Sequence, residues 1–414
     1  MPAVALRDGE LAVEALPLAH IAQRFGTPCF VYSRAALESA FREFDAAFAT
    51  IPHLVCYAMK ANSNLAVLNL FARLGSGFDI VSGGELARVI AAGGDPARIV
   101  FSGVGKTDAE MAQALELSIL CFNVESASEL EHLNGVAGRL GKRAPVSFRV
   151  NPDVDPKTHP YIATGLKENK FGVAIDTAPA LYRRAAALPH ISVRGIDMHI
   201  GSQVTELGPH VAAAEKAFAL IDRLAADGIQ LEHIDLGGGI GIRYRNERTI
   251  DLGEYARSIA RLRGDRPIKV VLEPGRFLVG NAGVLLTRVT RLKPGAERSF
   301  AIVDAAMNDL LRPALYDAWH DVRPVRPRSA PAIVWQVVGP ICESADFLAH
   351  DRALALEEGD LLAIGSAGAY AMAMSSNYNS RPRAAEVLVD GKTAHLVRQR
   401  ETIAELFAHE SMLP

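Results

Sequence analysis

The chain has 414 residues, which is enough for two domains, or for one barrel of roughly 250 residues with a further module. Apolar residues make up 49% of the chain and charged residues 22%, close to ordinary globular usage, which argues against extensive disorder. The net charge is only −3 and there is no clustered basic tract, so neither nucleic acid nor an anionic membrane is expected as a partner.

The N-terminal stretch lacks the pattern of a secretion signal, because Arg7, Asp8 and Glu10 interrupt its apolar run. No window approaches about 18 uncharged apolar residues, so no transmembrane segment is predicted. The cysteines are widely separated, with no CxxC pair and no histidine at zinc-finger spacing; they are Cys29, Cys56, Cys121 and Cys342. We therefore expect reduced thiols, a cytoplasmic protein and no metal site.

Eight short β-prone runs alternate with helical segments between about residues 54 and 276. The apolar residues of the helical segments recur at three-to-four spacing, which is typical of amphipathic helices that cover a parallel sheet. Strand followed by helix, repeated in this way, predicts a (β/α)8 TIM barrel and thus an α/β fold. The predicted strands are LVCYAMK, FDIVS, IVFSG, LCFNVES, VSFRVNP, VRGIDMHIG, HIDLGGG and KVVLEPGR. The predicted helices cover residues 64–74, 85–92, 108–117, 126–140, 176–188, 206–226 and 252–262.

The first predicted strand ends in Lys60, after the apolar residues of LVCYAM. If such a lysine is held out of water, its pKa falls, and the neutral amine can form a Schiff base with a carbonyl group. An ordinary surface charge at the end of a strand is the alternative. Nearly every other strand also ends in a polar residue or glycine, and barrel enzymes carry their chemistry at these carboxyl ends. A loop start does not explain His199, which interrupts the apolar run Ile196–Ile200.

Three successive glycines follow the seventh predicted strand, in the tract DLGGGIG. Glycines expose backbone N–H groups that can hold a phosphate, and barrel phosphate sites favour the loops after strands seven and eight. The tract is not a dinucleotide fingerprint, because Ile242 stands where GxGxxG requires glycine. A tight turn without a ligand is the alternative.

The tract LEPGR ends the eighth predicted strand with Glu273 and Arg276 around a Pro-Gly turn. The planar guanidinium group suits phosphate or carboxylate, while an ion pair within the turn is the alternative. The neighbouring glycine tract favours the ligand. A second glycine-containing tract, GVGKTD, is interpreted as an ordinary loop, because Val100 stands where a P-loop needs its first glycine.

Beyond about residue 280 the pattern changes to β-rich runs separated by Pro and Gly, namely GVLLTRVTRLK, RSFAIVDAA, AIVWQVVGP and DLLAIGS. The segment EVLVDGKTAHLVR predicts a hairpin around Asp390-Gly391. We predict an antiparallel β domain that includes an N-terminal strand. The predicted domains are therefore the barrel, residues 26–280, and the β domain, residues 1–25 and 281–414.

Several side chains of the β domain are candidates for a site. Arg312 and Tyr316 in RPALY lie one helical turn apart and could face a common anion. GPICES places Cys342 next to Glu343, and Tyr370 follows a glycine-rich turn. Each has a plainer alternative, such as a surface residue or a small buried thiol.

A lysine suited to Schiff-base formation, a glycine tract, a histidine and a Glu/Arg pair at one barrel mouth are typical of a pyridoxal phosphate site. The chain resembles the diaminopimelate decarboxylases, a family in the alanine-racemase-like class of pyridoxal phosphate enzymes, over essentially its full length. The motifs that carry the resemblance follow the family's order and are YAMKAN, FDIVSGGEL, HPYIATGLKENKFG, HIGSQ, DLGGGIG, EPGR, RPALY, GPICES and GAYAMAMSSNYNSRPR.

The resemblance implies pyridoxal 5'-phosphate as the cofactor. Lys60 would form the Schiff base with it, His199 would stack on its ring, and Glu273 would pair with the ring nitrogen. Ser202 would lie nearby. The phosphate would be held by Gly237, Gly238, Gly239, Gly275, Arg276 and Tyr370.

The reaction implied by the resemblance is decarboxylation of meso-2,6-diaminopimelate to L-lysine and CO2, the last step of lysine biosynthesis. The enzyme would be a homodimer in which Cys342, supplied by the partner subunit, donates a proton. The residues expected to bind the substrate are Arg276, Arg312, Tyr316, Glu343 and Tyr370.

Other functions stay open at this point. An ornithine or arginine decarboxylase acts on a substrate without a distal carboxylate, and in the resembled family Arg312 and the segment GLKENKFG, residues 165–172, contribute to that selection. An alanine racemase would need a tyrosine acid/base opposite Lys60, and CES matches it poorly. A catalytically silent pyridoxal phosphate protein of the same fold is a further alternative, although Cys342 and Glu343 argue against it.

Overall fold

The computed structural model describes residues 4–155 and 170–414, which form two compact units. The barrel unit consists of Phe41–Ile242 and Arg248–Phe277, and the β unit consists of the residues up to Ala40, Arg243–Glu247 and Leu278–Pro414. By their contacts, the residues up to Ala40 group with the β unit. The reason is a strand, Cys29–Ser33, that pairs within the sheet of the β unit.

The N-terminal part of the β unit contains a small separate sheet of three antiparallel strands. The strand that joins the main sheet comes later than the first 25 residues, because it is the run CFVYS, which is buried along its whole length. The elements are β1 (Val4–Arg7), β2 (Glu10–Val13), β3 (Leu16–Pro17), α1 (Leu18–Phe25), β4 (Cys29–Ser33) and α2 (Arg34–Ala47).

The barrel unit alternates strands and helices as the sequence predicts. One addition is a two-residue strand, β10, which pairs in parallel with the end of β9. The strands are β5 (His53–Ala58), β6 (Gly77–Ile80), β7 (Ile99–Phe101), β8 (Cys121–Val124), β9 (Ala144–Asn151), β10 (Val173–Ala174), β11 (Ile191–Asp197), β12 (His233–Asp235) and β13 (Lys269–Leu272). The helices are α3 (Leu65–Arg73), α4 (Gly83–Ala91), α5 (Asp108–Glu116), α6 (Ala127–Arg139), α7 (Ala178–Ala187), α8 (Leu207–Ala226) and α9 (Leu252–Arg263).

The strands of this unit close into a parallel barrel. Their order is β9-β11-β12-β13-β5-β6-β7-β8, and β8 pairs with β9 to complete the ring. The barrel is closed, so it has no unpaired edge. Buried residues from β5, β7, β8 and β13 form a common apolar cluster, composed of Leu54, Cys56, Val100, Cys121 and Val271.

Most helices of the barrel unit begin after a polar residue whose side chain accepts a hydrogen bond from the first helical turn, which satisfies an N–H group that the helix leaves unpaired. These residues are Asn64, Ser82, Thr107, Ser126 and Asp251. They fix where each helix starts, and therefore how long the preceding loop at the carboxyl end of the barrel is.

The tract GVGKTD is a structural loop, as interpreted from the sequence. The Lys106 side chain is fully buried, and its Nζ donates to the carbonyl oxygens of Gly103 and Asn123 and to Glu129, at 2.7, 2.8 and 2.7 Å. All three N–H donors of this lysine bind protein groups and link two strand ends, so none of them is available to a phosphate.

The rest of the β unit is a mainly antiparallel sheet, in the order β18-β17-β15-β14-β4-β20-β21, with two parallel pairs, β15 with β17 and β4 with β20. The predicted hairpin around Asp390-Gly391 is confirmed as β20 and β21. Helix α10 (Arg276–Val279) begins in the last two residues of the barrel unit and ends in the β unit. The elements that follow it are β14 (Gly283–Lys293), β15 (Ser299–Val303), α11 (Arg312–Tyr316), β16 (Val322–Pro324), β17 (Ile333–Val338), β18 (Phe347–Leu354), β19 (Leu361–Ile364), β20 (Ala385–Asp390) and β21 (Thr393–Arg398).

The helices of the described ranges are all too short or too polar to cross a membrane. The four cysteines, all of which are described, are free thiols, and only Cys342 is exposed.

Candidate active site

The predicted site residues of the barrel unit follow four strands that are neighbours in the ring, β11, β12, β13 and β5. Lys60 follows β5, the glycine tract follows β12, and Glu273 to Arg276 follow β13. His199 and Ser202 follow β11. The carboxyl ends of parallel strands open at one mouth, so these four loops share one end of the barrel.

Lys60 lies in a short 3-10 turn after β5, and its Nζ is 2.5 Å from Oδ2 of Asp79 on the next strand. The Lys60 side chain is 38% exposed, whereas that of Asp79 is 0% exposed. The expectation of a lysine held out of water is therefore only partly met. The amine instead makes an ion pair with a buried carboxylate, and a water-accessible position leaves the amine open to a carbonyl compound.

Three buried carboxyl groups lie beneath the mouth, and their oxygens are within 4.8 Å of one another; they belong to Asp197, Asp235 and Glu273. Burial, together with the neighbouring negative charges, raises the pKa of Glu273 and Asp197 well above the usual range. Burial also raises the pKa of Asp235 to about 7, although a hydrogen bond from the Gly237 N–H opposes this. The group shares protons at neutral pH, since several like charges at this distance cannot all ionise.

The His199 ring is a neutral acceptor in this site. Its Nδ1 accepts the N–H of Gly238 at 3.2 Å. Burial, followed by the positive charges of Arg149 and Lys60, holds the pKa of His199 well below its usual range. A neutral imidazole can lie flat against an aromatic ring without adding a second positive charge.

The glycine tract is required by close backbone packing. Gly237 and Gly239 have φ angles of +64° and +94°, which glycine adopts without strain. A Cβ on Gly238 would lie 2.0 Å from the carbonyl oxygen of Glu273, and one on Gly239 would lie 2.1 Å from that of Gly201. The tract thus holds the loops after β11 and β13 together.

Only part of the predicted N–H nest is available to an anion. The Gly237 N–H donates to Asp235 Oδ1 at 2.9 Å, and the Gly238 N–H donates to His199. The Gly239 N–H donates to no other group within the described ranges, so it is the member of the tract that an anion can use directly.

The turn after β13 brings Arg276 to the same mouth. Arg276 Nη2 donates to Ser202 Oγ at 2.9 Å, and both residues are predicted members of the cofactor site. Gly275 lies against the lysine segment, because a Cβ there would be 3.2 Å from Ala58 and 3.3 Å from Ala61. The barrel unit therefore brings together Lys60, Ser202, Gly275 and Arg276 through direct contacts between their loops.

The remaining predicted residues belong to the β unit. Arg312 begins helix α11 and Tyr316 ends it, so the predicted spacing of one helical turn is confirmed. The Arg312 guanidinium is buried and lies 4.6 Å from the centroid of the Tyr244 ring.

Cys342 and Glu343 are exposed residues in the loop between β17 and β18. The Cys342 N–H donates to Asn379 Oδ1 at 2.8 Å, and the Tyr378 hydroxyl donates to Glu343 at 3.4 Å. Tyr370 has a φ angle of +53°, a left-handed conformation that is uncommon for a bulky residue. Such conformations concentrate at functional sites.

Comparison with known proteins shows what this chain is similar to. Residues 34–280 match the family model described as pyridoxal-dependent decarboxylase, pyridoxal binding domain. The diaminopimelate decarboxylase of Pseudomonas aeruginosa is 62% identical over 414 residues, which cover 100% of both chains. That of Vibrio cholerae is 58% identical, with 98% of each chain covered.

The chain belongs to the diaminopimelate decarboxylase family.

Solved structures agree with this membership. The crystal structure of diaminopimelate decarboxylase from Helicobacter pylori complexed with L-lysine is 43% identical, with a TM-score of 0.92, and the match covers 95% of this chain and 99% of that one. The structure from M. jannaschii in co-complex with L-lysine is 38% identical, with a TM-score of 0.95 and coverage of 99% and 98%. The protein is therefore a pyridoxal-dependent decarboxylase with the predicted barrel and β-sheet architecture.

The residues at the mouth fit pyridoxal phosphate. Glu273 Oε1 is buried and has no hydrogen-bond partner among the described residues, which suits a ring N–H as donor. A primary amine on Lys60, a guanidinium on Arg276 and the Gly239 N–H match an aldehyde and a phosphate. These residues would hold the cofactor with its ring nitrogen toward Glu273.

Sequence reasoning missed Asp79, Asp197 and Asp235 as parts of this site. The available signal was a carboxylate at or near the end of an otherwise apolar run, in FDI, GID and HID. The segment predicted to contribute to substrate selection comprises residues 165–172, of which 165–169 lie outside the described residues.

Proposed function

We propose that this protein decarboxylates meso-2,6-diaminopimelate to L-lysine and CO2 with pyridoxal 5'-phosphate as cofactor, which is the last step of lysine biosynthesis. The observation that carries the proposal is full-length identity of 62% to a diaminopimelate decarboxylase, in a chain that places an amine and a buried carboxylate at one barrel mouth.

Pyridoxal phosphate, when bound, supplies an aldehyde that reacts with amines and a protonated ring that accepts the electrons left by departing CO2. Lys60 provides the amine that holds it. Lys60 must lose a proton before it reacts with an aldehyde, and Asp79, 2.5 Å away, is the adjacent group that can accept it.

Glu273 controls the charge at the ring nitrogen. Its Oε1 would accept the hydrogen bond from the ring N–H of the bound cofactor, and the neighbouring acidic groups Asp197 and Asp235 would favour a positive charge there. His199, held neutral by burial, would stack on the ring, and the phosphate would be bound by Arg276, Ser202 and the Gly239 N–H, with Tyr370 as a further proposed partner.

Substrate binding uses the charged and polar side chains of the β unit. The distal end of diaminopimelate carries a carboxylate and an ammonium group. Arg312 and Arg276 match the carboxylates of the substrate, and Glu343 matches the ammonium group, with Tyr316 and Tyr370 as hydroxyl partners. A substrate that lacks the distal carboxylate forgoes the charge-assisted contact with the buried Arg312 guanidinium, which weakens its binding.

Cys342 is the proposed proton donor to the carbon that loses CO2, and we propose that it acts at the site of the partner subunit in a homodimer. Its exposure in the monomer supports this role. We also propose a cytoplasmic location, which the free state of all the cysteines supports.

The test combines labelling with a product assay. Borohydride reduction of the loaded protein, followed by peptide mass mapping, is expected to place the label on Lys60. Release of CO2 is then measured from meso-diaminopimelate, ornithine and arginine, and only the first is expected to give gas. A label on another residue, or gas from ornithine, would contradict the proposal.

A further inference from the structure

Arg312 is held by two aromatic side chains of the β unit. Its guanidinium carbon lies 4.6 Å from the centroid of Tyr244, within the range of a cation–π contact. Its Nη1 lies 2.9 Å from Nε2 of His320. Arg312 is 6% exposed and His320 is 0% exposed, so both contacts are made away from water.

The contacts of His320 determine its protonation state. Its Nδ1 lies 2.9 Å from the carbonyl oxygen of Gly365, which can only accept a hydrogen bond, so Nδ1 carries a hydrogen. Its Nε2 faces a guanidinium, which can only donate, so Nε2 carries none. The ring is therefore neutral and restricted to one tautomer.

The backbone and neighbouring rings hold His320 in place. Its carbonyl oxygen accepts a hydrogen bond from Arg352 Nη2 at 3.1 Å. Its ring meets the Tyr244 ring edge-on, with centroids 5.3 Å apart. Tyr244, His320 and Arg312 thus form one packed group, in which each member limits the rotamers of the other two.

We propose that His320 is a positioning residue that fixes the Arg312 guanidinium for the distal carboxylate of the substrate, and so determines specificity. This inference rests on the proposed function, in which Arg312 binds that carboxylate. A neutral imidazole suits the task better than an acid would. An aspartate or glutamate at this place would form an ion pair with the guanidinium and compete with the substrate, whereas a neutral imidazole orients the guanidinium without neutralising it.

The first experiment compares His320→Phe, which keeps a ring but removes the acceptor, with His320→Gln, which keeps an acceptor for Arg312 and a donor for the Gly365 carbonyl. The matched control is His350→Phe, an exposed histidine of the same unit whose ring stacks on Phe347. KM and kcat for meso-diaminopimelate are measured, together with inhibition by L-lysine, which has a carboxylate, and by 1,5-diaminopentane, which has none.

For His320→Phe we expect KM for diaminopimelate and the inhibition constant of L-lysine to rise about tenfold, because a misplaced guanidinium loses one well-placed charge-assisted hydrogen bond to the carboxylate. We expect kcat, the cofactor absorption band and inhibition by 1,5-diaminopentane to stay within about twofold of wild type. His320→Gln is expected to recover most of the KM effect, and His350→Phe to show none. Equal weakening of both inhibitors, or a fall in kcat with KM unchanged, would overturn the proposal.

A double-mutant cycle tests whether His320 acts through Arg312. KM of the double variant Arg312→Met/His320→Phe is expected to equal that of Arg312→Met alone, whereas additive effects would refute a positioning role. The same cycle in thermal unfolding needs no substrate. If wild type releases no CO2 from diaminopimelate, the proposed function fails. Coupling between the two substitutions in thermal unfolding would still establish the contact of His320 with Arg312, and absence of that coupling would reject the contact.

Discussion

At the scale of single residues, the shared protons of Asp197, Asp235 and Glu273 make stability depend on pH. An unfolded aspartate ionises near 3.8, whereas Asp235 in the folded protein ionises near 7. Between these values the folded state holds more protons than the unfolded state, so the stability that protonation supplies is lost as pH rises through about 7.

We therefore predict that, in the cofactor-free protein, the melting temperature of Asp235→Asn relative to that of wild type is higher at pH 8 than at pH 5. Comparison with wild type cancels the contribution of the buried histidines His199, His210 and His233, whose lowered pKa acts in the opposite direction. The amide keeps an acceptor for the Gly237 N–H but cannot ionise. Scanning calorimetry at both pH values measures the melting temperatures. Asp309→Asn, in the β unit, is the comparison, because burial raises the pKa of Asp309 to about 7 as well. An unchanged pH difference in Asp235→Asn would show that the group does not share protons as described.

Cys342 gives a second prediction at this scale. Cys342→Ala is expected to keep the absorption band of the bound cofactor and to lose about 10²- to 10⁴-fold in kcat, the usual contribution of a positioned acid. Steady-state assays and absorption spectra check both parts. Cys56→Ala is unsuitable as a control because it opens a cavity, so Cys342→Ser, which retains a weak acid, provides the graded comparison. Full turnover in Cys342→Ala would remove the thiol from the reaction.

The sequence predicted which side chains line the mouth better than it predicted their environment. Lys60 is where a reactive lysine was expected, but its partner Asp79 and its exposed fraction depend on how β5 and β6 are paired. Asp197 and Asp235 are opposite each other in the register of β11 and β12. Such cross-strand neighbours are fixed by tertiary register, which no local pattern encodes.

At the scale of elements, the barrel strands were predictable because each is a short apolar run between helices with a clear period. Strand β4 was not, because its residues are buried on both faces and directly precede a helix, as in a barrel strand. Strand β10 is only two residues long, which is below what periodicity can detect. For both β4 and β10, the strand with which each one pairs in the tertiary structure determines the sheet to which it belongs.

The glycine tract leads to a prediction about the loops it joins. Gly238→Ala places a methyl group 2.0 Å from the Glu273 carbonyl oxygen, so the backbone must shift and Glu273 must move with it. We expect a loss of at least about 2 kcal/mol in the free energy of unfolding, typical of overpacking against backbone, and weaker cofactor binding. Denaturant titration and cofactor titration measure these effects.

Gly105→Ala is the matched control, because a Cβ there meets nothing within 4 Å. It is expected to change the free energy of unfolding by less than about 0.5 kcal/mol, as surface substitutions usually do. Equal effects of the two substitutions would mean that close packing at Gly238 is not what requires glycine.

At the scale of the whole molecule, the proposed homodimer can be tested by complementation. Lys60→Ala and Cys342→Ala should each be inactive alone. If each site takes Lys60 from one subunit and Cys342 from the other, co-expression should restore about 25% of wild-type activity, because half of the random dimers are mixed and each has one intact site. Purified mixed preparations are assayed for CO2 release. Activity no greater than that of the separate variants would place both residues in the same subunit.

The parallel pairing of β4 with β20 links Cys29–Ser33 to Ala385–Asp390, two segments that are far apart in the sequence. During synthesis on the ribosome, one edge of β4 therefore stays unpaired until residues 385–390 have been translated, even after β14 has paired with its other edge. The barrel segments emerge well before that moment and can fold first. A premature stop before residue 385 would leave β4 without its partner β20, and an unpaired strand edge favours aggregation and degradation by cellular quality control.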